Sequence, residues 1–456
     1  MSLDAVLARI DADLPAATDR LLELLRIPSI STDPAFKADC DRAADWLVAD
    51  LTSLGVETSK RATPGHPMVM GHVAGEGPHL LFYGHYDVQP VDPLELWDRD
   101  PFDPQVEETP KGKVIRGRGA ADDKGQLMTF IEACRAWKAV QGTLPCRLTF
   151  FLEGEEESGS PSLVPFMNDH KEALSADLAL ICDTGLFDSR VPAITTMLRG
   201  LLGEEITITG PDKDLHSGMY GGAAMNPIRV LARILASLHD ETGRITVPGF
   251  YDRVPEISDE LRAQWEGLSF DHKAFLGDVG LSELAGEEGR SALEMLWARP
   301  TCEVNGISGG YAGDGFKTVL PSKASAKISF RLVGSQDPLA IRESFRALVR
   351  GMVPPDCSVA FEGHGASPAG SFDTTGPAFE AARAALSEEW PDPAAYIGCG
   401  GSIPIAGHFQ QITNTTPMLI GFGKDDDQIH SPNEKYDMES FHKGIRSWAR
   451  ILDALT

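Results

Sequence analysis

Apolar residues recur at two different periods along this chain, and the period predicts where helices give way to strands. From Asp4 to about Leu25 they fall at helical spacing and stop at Arg26-Ile27-Pro28, where proline ends the helix. The same spacing predicts helices over Asp39–Leu54, closed by Gly55, and over Gln126–Val140. Between and after them come short β-rich, mainly apolar runs: Leu80–Tyr83, Arg147–Leu152 and Leu178–Cys182. Such runs read as buried strands, and strands alternating with helices predict an α/β architecture.

The pattern changes near Leu198. A strand over Leu201–Thr209 and a helix over Asn226–His239 precede a long, less periodic segment, Glu241–Arg299. A strand at Ala324–Val333, a helix at Pro338–Met352 and a strand at Ser358–Glu362 follow, which predicts a small α+β domain inserted into the first. Gly363–Gly376, rich in Gly, Ser and Pro, reads as the return linker. Helix Ala378–Glu389, strand Met418–Phe422 and helix Met438–Leu455 then resume the α/β pattern. The expected organisation is a first domain over 1–197, completed by 371–456, with an insertion over 198–370.

Composition narrows the function. At 456 residues, with 42% apolar and 24% charged, the chain is long enough for two cores. Its 41 basic against 67 acidic residues give −26, which argues against nucleic acid or an anionic membrane as partner. The N-terminus shows no basic segment followed by an apolar one, and no apolar stretch reaches membrane-spanning length. Seven cysteines without CxxC pairs predict reduced thiols and a cytoplasmic compartment. Any metal should therefore rest on oxygen and nitrogen ligands.

Such ligands sit where the predicted strands end. Leu80–Tyr83 runs into Gly84-His85-Tyr86-Asp87; Arg147–Leu152 into Glu153-Gly154-Glu155-Glu156-Glu157; Leu178–Cys182 into Asp183. Asp122-Asp123 opens the helix between the first two strands, and His430 lies beyond the strand Met418–Phe422. Each has an ordinary reading: a loop histidine, an N-cap, a solvated acidic turn. Several acids at adjacent strand ends repel one another unless a cation compensates. His85, His430, Asp122, Glu156, Glu157 and Asp183 form an N/O set suited to Zn²⁺, Mn²⁺ or Co²⁺. With one glutamate to spare, two metals sharing a carboxylate become plausible; such pairs polarise carbonyls and generate hydroxide near neutral pH.

These stretches resemble the metallopeptidase family M20, which includes carnosinase-like dipeptidases, glutamate carboxypeptidase and acetylornithine deacetylase. The matching runs are Gly84–Val88, Gly117–Gly125, Glu153–Ser160, Asp183, Asp214–Gly218, Gly400–Pro404 and His430–Glu434, in family order. The resemblance implies a zinc-peptidase-like α/β catalytic domain, its mixed central sheet flanked by helices, and an inserted α+β lid and dimerisation domain. It implies two divalent metal ions, with zinc expected first. Asp122 would bridge them, His85 and Asp183 would bind one, and Glu157 and His430 the other. Glu156 would be the general acid and base, and Asp87 would hold His85. His216 would reach across a homodimer to stabilise an oxyanion, and Arg331 would clamp a substrate carboxylate, with Thr318, Gly401 and Ser402 as further substrate contacts.

Trp97, Pro101, Phe102 and the run Gly309–Pro321 look most like the dipeptidase branch, so the expected substrate is a dipeptide or short peptide with a free C-terminal carboxylate. Cys399 departs from the acidic or polar residue expected before Gly400-Gly401, at the substrate-facing loop. The competing reading within the family is an N-acyl amino acid deacylase of the acetylornithine or succinyl-diaminopimelate type. From another class, a catalytically silent assembly protein would keep the fold alone; the complete ligand set and Glu156 argue against it.

Overall fold

The computed structural model describes residues 2–401 and 403–456. Two compact units emerge: Met1–Thr196 with Phe372–Ile397 and His408–Thr456, and Met197–Ser371 with Gly398–Gly407.

The first unit is built on a mixed sheet. Its strands run in the order Glu57–Arg61, Met68–Val73, Arg147–Glu153, His79–His85, Leu178–Ile181 and Thr416–Leu419, and Leu419 then meets Thr195. The middle strands are parallel: His79–His85 pairs in parallel with both Arg147–Glu153 and Leu178–Ile181. Their carboxyl ends therefore lie along one edge, with His85 opposite Glu153. Parallel strands covered on both faces are apolar throughout, and every residue of His79–His85 is buried. On one face Phe82 stacks on Phe130 at 3.9 Å, with Trp448 edge-on to both rings. Phe130 and Trp448 come from the helices Lys124–Gln141 and Met438–Leu455. On the other face Tyr83 and Phe151 meet Phe409 edge-on. This alternation follows from the two-residue period of a strand.

The second unit has a four-stranded antiparallel sheet in the order Thr301–Gly309, Lys323–Leu332, Gly200–Thr209, Ser358–Ser367. Strand Gly200–Thr209 alternates buried and half-buried residues along its whole length. Leu202, Ile206, Ile208, Phe330 and Phe345 form the core under the helices Pro227–Ala236 and Pro338–Met352. Leu201, Glu205 and Arg331 belong to the open face.

Three expectations are corrected here. The segment Glu241–Arg299 contains a π-helical turn, Glu294–Ala298, and two α-helices, Asp259–Gly267 and His272–Gly277, each N-capped by a side chain, Ser258 and Asp271 respectively. The two α-helices were hidden because each is short and lies at the surface, where apolar periodicity is weak. The glycine-rich stretch after Glu362 is not wholly linker: the strand continues through a bulge to Ser367. Finally, Asp123 stands at the N-cap position of helix Lys124–Gln141 but makes no cap bond. Its carboxylate turns instead to the backbone N–H of His85, 3.1 Å away. Among the described residues no helix is long and apolar enough to cross a membrane, and all seven cysteines are free thiols.

Candidate metal centre

The sheet edge of the first unit gathers side chains from five separate stretches. His85 is the last residue of its strand, Asp183 follows the strand Leu178–Ile181 by two residues, and Glu156-Glu157 form a short turn beyond Glu153. Asp122 arrives on the glycine-rich turn before helix Lys124–Gln141. That turn demands Gly125, since a Cβ there would lie 1.9 Å from the carbonyl oxygen of Ala120. His430 comes from the loop before strand Lys435–Asp437, with a left-handed backbone (φ 61°).

Asp122 is the shared element. Its Oδ1 lies 3.1 Å from His85 Nε2 and its Oδ2 lies 3.0 Å from His430 Nε2. His430 Nε2 is also 3.3 Å from Glu157 Oε2. Two groups result, His85–Asp122–Asp183 and Asp122–Glu157–His430, and in each the candidate ligand atoms lie within 4.8 Å of one another. Two imidazoles and three carboxylates with one carboxylate common to both groups is a donor set that fits two divalent ions of the zinc type.

The electrostatics agree with that fit. Burial raises the Asp183 carboxyl well above its usual range, and the neighbouring Asp122 adds to the effect. Burial likewise pushes Glu156 up to about 7, with Glu157 and Asp122 contributing. For Asp122 itself burial is outweighed by the bonds from His430 and His85, which hold it below the ordinary carboxylate range. Crowded acids of this kind call for positive charge, and a divalent ion in each group would provide it.

Asp87 does more than hold His85. Its carboxylate Oδ1 is 3.4 Å from His85 Nδ1, while Oδ1 and Oδ2 accept the backbone N–H groups of Glu156 and Glu157 at 3.2 and 3.0 Å. One buried carboxylate thus fixes both the histidine and the glutamate turn. Gln89 donates to Glu157 Oε2 at 2.7 Å.

Sequence reasoning assigned no role to Glu434. Fully buried, its carboxylate accepts Arg118 Nη1 at 2.7 Å and the backbone N–H groups of Gly119, Ala121 and Asp122 at 3.0, 2.9 and 3.1 Å. It thereby holds the turn that presents Asp122. The available signal was an arginine inside a glycine-rich run, a charge that needs a buried partner.

The remaining predicted residues lie in the second unit. His216 is exposed and its Nδ1 accepts the N–H of Gly218. It neighbours Thr318 through the short ladder Leu215–His216 with Val319–Leu320 and the bond from Ser217 N–H to the Thr318 carbonyl. Arg331 stands on the open face of the four-stranded sheet, and Gly401 belongs to the loop after Cys399. Ser402 lies outside the described residues. Two further carboxylate groupings occur among the described residues. Asp426, Asp427 and Asp437 already surround the Lys435 ammonium at 2.7, 2.6 and 2.6 Å. Glu205, Glu362 and His364 lie on the second sheet, largely exposed.

Comparison with known proteins decides the family, because the model of "Peptidase family M20/M25/M40" matches residues 81–454. The chain belongs to this family. It is 31% identical to the Cys-Gly metallodipeptidase of Schizosaccharomyces pombe, over 100% of this chain and 98% of the relative. The crystal structure of human carnosine dipeptidase 1 superposes with a TM-score of 0.82 at 27% identity, covering 100% of this chain and 99% of that one. An M20 family metallo-carboxypeptidase from Sulfolobus solfataricus gives a TM-score of 0.83 at 30% identity, over 96% and 99% of the two chains. The resemblance read from the motifs is therefore correct, as is the mixed α/β fold it implied. This M20 member is a metal-dependent peptidase.

Proposed function

We propose that this M20 peptidase cleaves the amide bond of dipeptides or short peptides that carry a free C-terminal carboxylate, using two divalent ions held by His85, Asp122 and Asp183 and by Asp122, Glu157 and His430. The observation that carries this reading is the position of Asp122, whose two oxygens face two imidazoles from opposite ends of the chain. Dipeptide substrates are supported by the names of full-length relatives, a Cys-Gly metallodipeptidase and a Beta-Ala-His dipeptidase.

When bound, the metal pair supplies electrophilic polarisation of the scissile carbonyl and lowers the pKa of water toward neutrality; zinc suits the donor set best. Glu156 takes the attacking water's proton and returns it to the leaving amine. Glu156 is adjacent to Glu157 yet belongs to neither ligand group, which leaves its carboxylate available for both steps. Asp87 keeps Glu156 and His85 in fixed relation through the bonds described above. Arg331 binds the substrate carboxylate, a task suited to its planar fork, with Thr318, Gly401 and Ser402 as further contacts.

The second unit would serve as lid and dimerisation domain, with His216 acting on the partner's substrate as an oxyanion donor. Its exposed apolar side chains, Met219 at 75% and Phe316 at 92% exposure, and the single-sided pairing of strand Thr301–Gly309 support a homodimer. The seven free thiols support a cytoplasmic setting.

The test is a substrate panel. Chelated enzyme reloaded separately with zinc, manganese or cobalt should hydrolyse dipeptides faster than N-acetyl or N-succinyl amino acids. Faster turnover of the acylated set would make the chain a deacylase.

A further inference from the structure

Arg199 has no place in the reading above, yet its surroundings are those of a binding group. Its backbone N–H donates to the carbonyls of Cys399 and Gly401 at 3.3 and 3.1 Å. Its Nε donates to the Gly400 carbonyl at 3.2 Å and its Nη1 to the Met295 carbonyl at 3.4 Å. The guanidinium is thus tied to the loop that carries Gly401. A Cβ at Gly400 would come within 2.8 Å of Arg199 Nη2, so glycine at 400 is what lets the two approach.

The sheet register brings a second guanidinium beside it. Arg331 is opposite Leu201 and Leu332 is opposite Gly200, so Arg331 and Arg199 are diagonal neighbours across the strand pair. Diagonal positions are within reach of long side chains. Burial, then the charge of Arg331, pushes Arg199 down to about 10. Among the described residues neither guanidinium makes an ion pair, and Arg331 makes no side-chain hydrogen bond. Glu303, whose charge acts on Arg199, stays beyond ion-pair distance.

Two half-buried like charges without a counter-ion are costly unless an anion joins them. Cys399 does not supply one. Burial raises its thiol, which accepts the N–H of Gly401 at 3.3 Å and stays neutral. A carboxylate at 399 would pair with the two arginines; the thiol leaves them free for a ligand.

We propose that Arg199 is a specificity-determining residue that shares the C-terminal carboxylate of the substrate with Arg331, one guanidinium anchored under the Gly400–Gly401 loop and the other open. This rests on the peptidase reading above and adds a second cation to its carboxylate subsite. Lysine cannot replace Arg199 fully, since two of its donors are spent on carbonyls and a third must face the ligand.

The experiment compares wild type with Arg199→Met, Arg199→Lys, Gly400→Ala and Cys399→Asp, each assayed on a dipeptide and on the same dipeptide amidated at its C-terminus. Arg199→Met should raise KM for the free acid by about 10–100-fold, the loss of one charge-assisted bond, and leave kcat/KM for the amide within about twofold. Arg199→Lys should fall between. Gly400→Ala, which displaces the guanidinium, and Cys399→Asp, which neutralises it, should narrow the preference for the free acid without removing Arg199. Equal losses on both substrates would make Arg199 a loop scaffold and overturn the proposal, as would an unchanged preference. Calorimetric titration with a free amino acid separates this from the underlying reading. If wild type cleaved no dipeptide, the peptidase substrate would be wrong. Weaker amino-acid binding in Arg199→Met would still support the subsite, and equal binding would refute it.

Discussion

Asp122 and His430 stand 308 positions apart in the chain, and Asp122 Oδ2 lies 3.0 Å from His430 Nε2. The opposite oxygen of Asp122 faces His85, so one carboxylate belongs to both halves of the centre.

Glu156 is adjacent to a candidate ligand, Glu157, but belongs to neither ligand group. Glu156→Gln keeps the shape and removes the proton acceptor. It should lower kcat by about 10²–10⁴-fold while metal content, measured by atomic absorption, stays at the wild-type level. Loss of metal together with activity would make Glu156 a ligand instead.

Arg118 and Glu434 form a buried ion pair, their side chains 1% and 0% exposed. Burial pushes the Glu434 carboxyl up and Arg118 is the largest opposing pull. Arg118→Met should therefore cost about 3–5 kcal/mol of stability, the usual penalty for stranding one buried charge. It should also weaken metal binding, because Glu434 holds the N–H of Asp122. Denaturant unfolding and metal titration read the two effects, and an unchanged metal affinity would confine the Arg118–Glu434 pair to stability alone.

A pH effect is expected away from the centre. His79 is buried at the start of its strand, its Nε2 2.8 Å from Thr149 Oγ1. Burial, with help from Arg147, lowers it from 6.5 to about 4. Between those values the unfolded chain binds the proton and the folded chain does not. The His79 contribution is therefore complete above about 6.5 and is lost as pH falls toward about 4. His79→Gln should lose less stability than wild type between neutral pH and pH near 5. Parallel urea titrations check this, and identical slopes would contradict it.

If His216 acts in trans, mixing Glu156→Ala with His216→Ala subunits should restore partial activity through hybrid dimers. No recovery, with subunit exchange demonstrated by a tag-exchange pull-down, would place His216 in its own subunit's chemistry.

The strand ends were readable because a buried strand writes itself as an unbroken apolar run, and Gly84-His85 and Asp183 lie directly beyond such runs. The dual duty of Asp87 was half readable: spacing suggested its contact with His85, but its bonds to the N–H groups of Glu156 and Glu157 depend on the parallel register of two strands. Glu434 was invisible in role for the same reason, since its partners lie 312 to 316 positions away. The surface helices Asp259–Gly267 and His272–Gly277 escaped because they bury little, whereas their caps, Ser258 and Asp271, were the usable sign.

The most direct measurement is metal stoichiometry in chelated protein reloaded with zinc, for wild type and three single variants. Wild type should bind two ions per chain, His85→Ala and His430→Ala should each keep one, and Asp122→Ala should lose both with all hydrolytic activity. Full activity in metal-stripped protein, or an Asp122→Ala variant that still holds two ions, would contradict the account.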